Sequence, residues 1–262
     1  MTDESQFKAL CAEFFPVFKR LAATDEYSIT LGGSFGKGLS DRGSDFDFRI
    51  YYEKPTGENA QREASDEVNR LVAKWREIGV EVDGIWPRTY AEVDAELDAW
   101  LSGNGKPDPM MWTVWGYYIL TDICNQQIVE ETTGKAARWK QRLAVYPGAL
   151  KASIISRHSG SLGYWRQDYH YRNKVNRGDV VFLASLAARL INDIMQVVYA
   201  LNEFYYPGDG MNLIYTKRFM IKPSAFEERV VAVLRLPDAE DAFNLQYANL
   251  MALIDDTLAL IK

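Results

Sequence analysis

LGGSFGKGLSDRGSDFDFRI, residues 31–50, is the stretch on which the fold turns. It follows directly from YSITL (27–31), whose β-branched and aromatic residues predict a short strand. Gly32, Gly33, Gly36 and Gly38 then crowd into seven positions. Glycine admits backbone conformations and close approaches that a Cβ forbids. A Gly-Ser turn entering a short helix presents unpaired backbone N–H groups, which with the helix dipole favour phosphate. The Ser34 hydroxyl adds a donor there, and Lys37 adds a nearby positive charge.

Eleven positions after Ser34 stands Asp45, followed by Phe46 and Asp47. Residues i and i+2 of a strand share a face, so Asp45 and Asp47 point one way while Phe46, Phe48 and Ile50 point into a core. Two neighbouring carboxylates repel each other unless a cation lies between them. Magnesium prefers oxygen ligands and keeps water and substrate phosphates in its shell. A lone D-x-D is commonly a solvated face, and a lone glycine cluster is commonly a loop. Their conjunction at this spacing, strand to turn to strand, is what points to a site for metal and polyphosphate.

Gly33-Ser34-Phe35-Gly36-Lys37-Gly38 followed by Ser44-Asp45-Phe46-Asp47-Phe48 resembles the signature of the DNA polymerase β-type nucleotidyltransferase superfamily. That signature is a hydrophobic residue, Gly-Ser or Gly-Gly, a gap, then Asp-hydrophobic-Asp-hydrophobic. The match covers about 20 of 262 residues. In size and layout the chain is similar to the bacterial branch that nucleotidylates small molecules, the aminoglycoside and lincosamide nucleotidyltransferases. The run ALNEFYYPG (200–208) also resembles a set of bacterial relatives with an undefined acceptor. The resemblance implies that Gly33 and Ser34 bind the β- and γ-phosphates and that Asp45 and Asp47 ligate magnesium, with two ions and ATP as co-substrate. It implies a third carboxylate from a neighbouring strand. GVEVDGIW (79–86) offers Asp83, where the strand is expected to exit ahead of a glycine, with Glu81 as the close rival.

Composition narrows the partners. The net charge is −6 and the pI about 5.1, with no long Lys/Arg run, so a nucleic-acid partner is not expected. An acidic surface suits a cationic small acceptor. No run of 18 apolar residues predicts a membrane span, and MTDESQFKAL lacks the basic start and apolar stretch of a signal peptide. Cys11 and Cys124 form no disulfide framework, and His158 and His170 lack partner ligands at metal spacing. A cytoplasmic location is the resulting expectation.

Along the chain, helices are predicted over 5–22 and 59–78, the latter stopped by Gly79. A third strand is expected over about 80–86, ending at Pro87, with the helices on one side of a small mixed sheet. Then come a helix over 89–101, a loop over 102–109, a helix over 110–123 carrying Trp112, Trp115, Tyr117 and Tyr118, and an edge strand over 126–131. Beyond residue 134 only helices are expected: about 135–145, 148–171, 179–204 (capped by Asp179) and 238–261. The fold class is therefore α+β. A nucleotidyltransferase core over 1–133 precedes a helical bundle over 134–262.

The acceptor pocket is expected where core and bundle meet. Tyr164–Arg172 holds aromatic and hydrogen-bonding groups that suit it, or else packs as an ordinary amphipathic helix. Lys217 is the candidate from the helical part to meet the triphosphate; as a bare residue it is a surface charge. Two other readings stand beside transfer to a small molecule: AMP transfer to a protein hydroxyl, and a nucleotide-binding module without turnover. The oligomeric state is open.

Overall fold

The structure, a computed structural model, describes residues 4–106, 118–208, 210, 212–236 and 241–261. It folds as two compact units, one of Met1–Ala99 with Ile119–Val145, the other of Trp100–Tyr118 with Tyr146–Lys262. In chain order the first is built from α1 (Glu4–Lys19), β1 (Tyr27–Leu31), α2 (Gly33–Gly36), β2 (Phe46–Tyr52), α3 (Glu58–Glu77), β3 (Val82–Thr89), α4 (Tyr90–Leu101), α5 (Tyr118–Asn125), β4 (Gln127–Glu131) and α6 (Lys135–Arg142).

The four strands form one mixed sheet in the order β3-β2-β1-β4. β1 runs antiparallel to both β2 and β4, with Tyr27 opposite Tyr52 and Leu31 opposite Phe48. β2 and β3 are parallel, so the chain between them must cross over, and α3 is that crossover. Alternation along β2 sends Phe46, Phe48 and Ile50 into the core with α1 and α3. There the Phe18 and Phe48 ring centroids are 5.4 Å apart and those of Phe14 and Phe48 6.2 Å. α3 buries Ala64, Val68 and Trp75. It stops where Gly79 turns left-handed at φ +80°, its N–H and that of Val80 closing on Arg76 and Trp75 carbonyls.

Three local expectations are corrected. Helices cover both faces of the sheet. On the face opposite the α1–α3 core, Tyr51 meets Trp139 of α6 edge-on at 5.0 Å, and Ser28 bonds the Tyr90 hydroxyl of α4 at 3.0 Å. β3 does not end at Pro87 but runs to Thr89, with Pro87 opposite Ile50. It is an edge strand, where a missing N–H can be tolerated. Asp83 lies near the start of β3, not at its exit. The β2–β3 register slips there, Phe46 facing Val82 but Phe48 facing Ile85, and Gly84 takes φ +86°. This bulge re-aims Asp83. The helix expected over 110–123 falls largely outside the described residues, apart from α5.

Among the described residues, the regular elements that follow in the second unit are all helices: α7 (Gly148–Gln167), α8 (Tyr169–Arg177), α9 (Val180–Leu201), α10 (Asn212–Thr216), α11 (Phe226–Leu234) and α12 (Ala242–Ala259). The single helix expected over 148–171 breaks at Asp168, whose carboxylate accepts the His170 N–H at 2.6 Å and starts α8. Asp179 caps α9 as expected, accepting from Phe182 N–H at 3.4 Å. α9 has the length and apolarity of a membrane span, yet most of it is buried within the protein. α11 has no counterpart among the sequence expectations, its nine residues being too few to establish a period.

One buried polar knot joins α7 to α9. Asp193 lies 2.6 Å from His158 Nδ1 and accepts from Ser161 Oγ at 2.7 Å. Removing the imidazole leaves the buried Asp193 carboxylate short of a hydrogen-bond partner. His158→Ala is therefore expected to lower the unfolding free energy by about 1–3 kcal/mol, read by urea titration followed by helical circular dichroism.

A carboxylate centre beside the glycine turn

β1 ends against the turn. Gly32 still bonds across the sheet, its N–H donating to the Asp47 carbonyl at 2.8 Å. The chain then bends into α2, with Gly36 N–H on the Gly32 carbonyl at 2.7 Å. Gly33 has φ +55°, and a Cβ there would lie 1.7 Å from Asp47 Oδ2. Only glycine lets the backbone lie against that carboxylate. Phe35 fixes the turn from below, stacked on Phe46 with centroids 4.5 Å apart. The turn is thus anchored through the very residue that separates the two aspartates.

The acids reach the same place from two strands. A tight turn over 41–44, in which Asp41 accepts from Gly43 N–H at 2.9 Å, delivers Asp45 to the start of β2. Asp45, Asp47 and Asp83 each offer a carboxylate oxygen, and these atoms all lie within 4.8 Å of one another. Glu81, the rival third carboxylate, is committed elsewhere: it pairs with Arg76 at 2.9 Å. Trp86 is half-exposed next to Asp83, its Nε1 3.5 Å from Asp83 Oδ2.

The crowding shows in Asp47. Burial pushes its carboxyl up to about 6, and the charges of Asp45, Asp83 and Asp122 push the same way, while Arg49 opposes them. A divalent cation would relieve that repulsion. The donor set is all carboxylate oxygen, the chemistry magnesium prefers, so the residues fit such an ion.

The phosphate-side candidates are placed less uniformly. The Ser34 hydroxyl oxygen is buried and has no hydrogen-bond partner among the described residues. This rotamer does not present the outward donor expected from the sequence, and a turn about χ1 is needed to bring it out. Lys37 caps the C-terminus of α2 and is half-buried. Lys217 is exposed just after α10, in the second unit. A surface cavity of about 450 Å³ lined by α3 residues and Arg20 contains none of these residues.

Two residues of the site were not singled out from sequence. Arg49 follows Asp47 by two positions on the same strand face, so the alternation already marked it. Its guanidinium pairs with Asp122 of α5 at 2.9 Å and lies 3.9 Å from Asp47 Oδ1. Asp122 comes from a helix 73 residues downstream of Arg49, and no local spacing announces it.

Comparison with known proteins adds two matches. Residues 112–210 match a family model described as a domain of unknown function (DUF4037). The search of curated proteins found no match. Residues 11–102 match the nucleotidyltransferase domain model. That match contains Gly33, Ser34, Asp45, Asp47 and Asp83, so the part of the chain that builds the carboxylate centre is similar to nucleotidyltransferase domains of the polymerase β type.

Proposed function

We propose that this protein is a magnesium-dependent nucleotidyltransferase that moves AMP from ATP to a hydroxyl of a small molecule. The observation that carries the reading is the convergence of three carboxylates against a glycine turn, within the matched domain. Asp45, Asp47 and Asp83 would hold the metal. Bound magnesium would neutralise phosphate charge and polarise the α-phosphorus. The first amides of α2 would donate to the β- and γ-phosphates, joined by the Ser34 hydroxyl once rotated and by Lys37. The acceptor oxygen forms its bond to the α-phosphorus as the bond to the bridging oxygen of pyrophosphate breaks. The acceptor proton passes to a carboxylate of the centre, with Asp83, the most exposed of the three, as the base.

The acceptor class follows from charge. A net charge of −6 favours a polyhydroxylated cation of the aminoglycoside or lincosamide kind over a nucleic acid. We assign the chemistry to residues 1–133 and acceptor recognition to 134–262, and we place the reaction in the cytoplasm, where ATP and magnesium are supplied. Incubation with ATP labelled at the α-phosphate, magnesium and a panel of such acceptors tests this. A labelled small molecule with stoichiometric pyrophosphate supports it, whereas a labelled protein band from lysate redirects it to protein modification. Bound nucleotide without pyrophosphate across the panel leaves only a binding module.

The Asp47 carboxyl gives a pH signature. It must ionise to ligate, so Mn²⁺ affinity, followed by the electron paramagnetic resonance of the free ion, is expected to be flat above about pH 6. Below that it falls about tenfold per pH unit, one proton being displaced per ion bound.

A further inference from the structure

We infer that Arg49 and Asp122 are paired positioning residues that hold the glycine turn and the Asp47 carboxylate in register before any nucleotide arrives. The two consecutive glycines of the turn each lie against a carboxylate. A Cβ on Gly33 would meet Asp47, and a Cβ on Gly32 would lie 2.6 Å from Asp122 Oδ1 and 3.4 Å from Arg49 Cζ. Arg49 joins those two acids. It donates Nε to Asp122 Oδ2 at 2.9 Å and NH2 to Asp122 Oδ1 at 3.5 Å, while NH2 stays 3.9 Å from Asp47 Oδ1. NH1 is held by the Phe48 carbonyl at 3.2 Å, and the guanidinium lies over the Trp86 ring at 5.9 Å. The side chains of Arg49, Asp47 and Asp122 are 15–17% exposed, so the assembly is screened from bulk water.

The geometry gives each member a distinct task. Asp122 takes up both arms of the arginine fork and keeps Arg49 from closing on Asp47, which would cap a metal ligand with a cation. Arg49 in turn keeps Asp122 from acting as a loose fourth carboxylate in the centre. The pair is neutral as a unit, which leaves the charge of Asp45, Asp47 and Asp83 for the metal. Asp122 lies in the stretch matched by the domain of unknown function, outside the nucleotidyltransferase match, so the inference gives that second stretch a role in the first one's site.

The kinetic part of the test rests on the nucleotidyl-transfer reading; the metal-binding part does not. Asp122→Asn, an isosteric exchange, frees Arg49 to turn on Asp47. Arg49→Lys keeps the charge and loses the fork. Both are expected to weaken Mn²⁺ binding at least fivefold and to lower kcat for pyrophosphate release at least tenfold. KM for ATP should change less than threefold, and thermal unfolding should show a folded protein. Wild-type Mn²⁺ affinity and kcat in either variant would overturn the inference. So would losses no larger than the fraction of protein unfolded, which would mark a merely structural pair. Should Arg49→Lys fail to fold, Asp122→Asn decides alone. If the wild type itself releases no pyrophosphate with any acceptor, the transfer reading fails. Mn²⁺ affinity of the variants then settles this inference, weaker binding supporting it and unchanged binding refuting it.

Discussion

Asp47→Asn is expected to reduce pyrophosphate release roughly 10³-fold or more and, at the same time, to make the metal-free protein more stable at pH 7. The loss follows from removing one of three converging ligand carboxylates on the strand that faces the turn. The gain follows from linkage. In the unfolded chain this carboxyl titrates near 3.8, and in the fold near 6, so the folded state holds the proton more tightly. Stability of the metal-free protein from this group is therefore fullest below about pH 4, falls as pH rises to about 6, and stays reduced above it. At about 1.4 kcal/mol per tenfold change in proton affinity, ionised Asp47 costs the fold up to about 3 kcal/mol at pH 7. Asparagine is neutral throughout and removes that cost. Melting curves at pH 7 with a chelator should place the variant several degrees above the wild type. Added magnesium should raise the wild type but not the variant. A variant that melts lower in chelator, or one that keeps its turnover, contradicts the assignment.

Gly33→Ala is the second large effect, and it separates conformation from close approach. The new methyl would sit 1.7 Å from Asp47 Oδ2, at a backbone angle of φ +55° that alanine adopts only under strain. The carboxylate is a side-chain end, so it can swing aside, but doing so removes it from the centre. The expected result is a loss of turnover of about 100-fold or more, with parallel loss of Mn²⁺ affinity, at a stability cost of only about 1–3 kcal/mol. Gly38→Ala is the matched control. It shares a positive angle, φ +67°, but its methyl would meet nothing within 4 Å. It should cost about 1 kcal/mol and leave turnover within a few-fold of wild type. Equal losses in the two variants would mean that the turn needs glycine for its bend and not for the approach to Asp47.

The parts of this molecule legible in its sequence are those whose physics is local. The 27–31 strand, the glycine turn and the alternation of Asp45, Phe46, Asp47 and Phe48 all have short periods, and each is found where its pattern places it. The caps at Gly79 and Asp179 are read from single residues for the same reason. What was misread needs tertiary context. Pro87 interrupts a strand only if its N–H is required, which depends on β3 being at an edge. Asp83 joins the centre as the resemblance implies, but from the start of β3 and not its exit, because the adjacent glycine serves a bulge whose existence depends on the register with β2. The break at Asp168 splits a run whose apolar spacing continues through it. Asp122 was invisible because its partner is an arginine on another element, and because a lone aspartate on a helix of eight residues carries no pattern.

The sheet also bears on how such a chain can change over generations. β4 hydrogen-bonds along β1, and Gln126 and Glu131 accept from Thr30 and Ser28, so residues after position 118 finish a layer that begins before position 32. A break placed between the two matched stretches, after residue 102, would strip a central strand of its neighbour and leave a sticky edge. Recombination has no clean seam there, because the first stretch cannot close its sheet without a strand from the second.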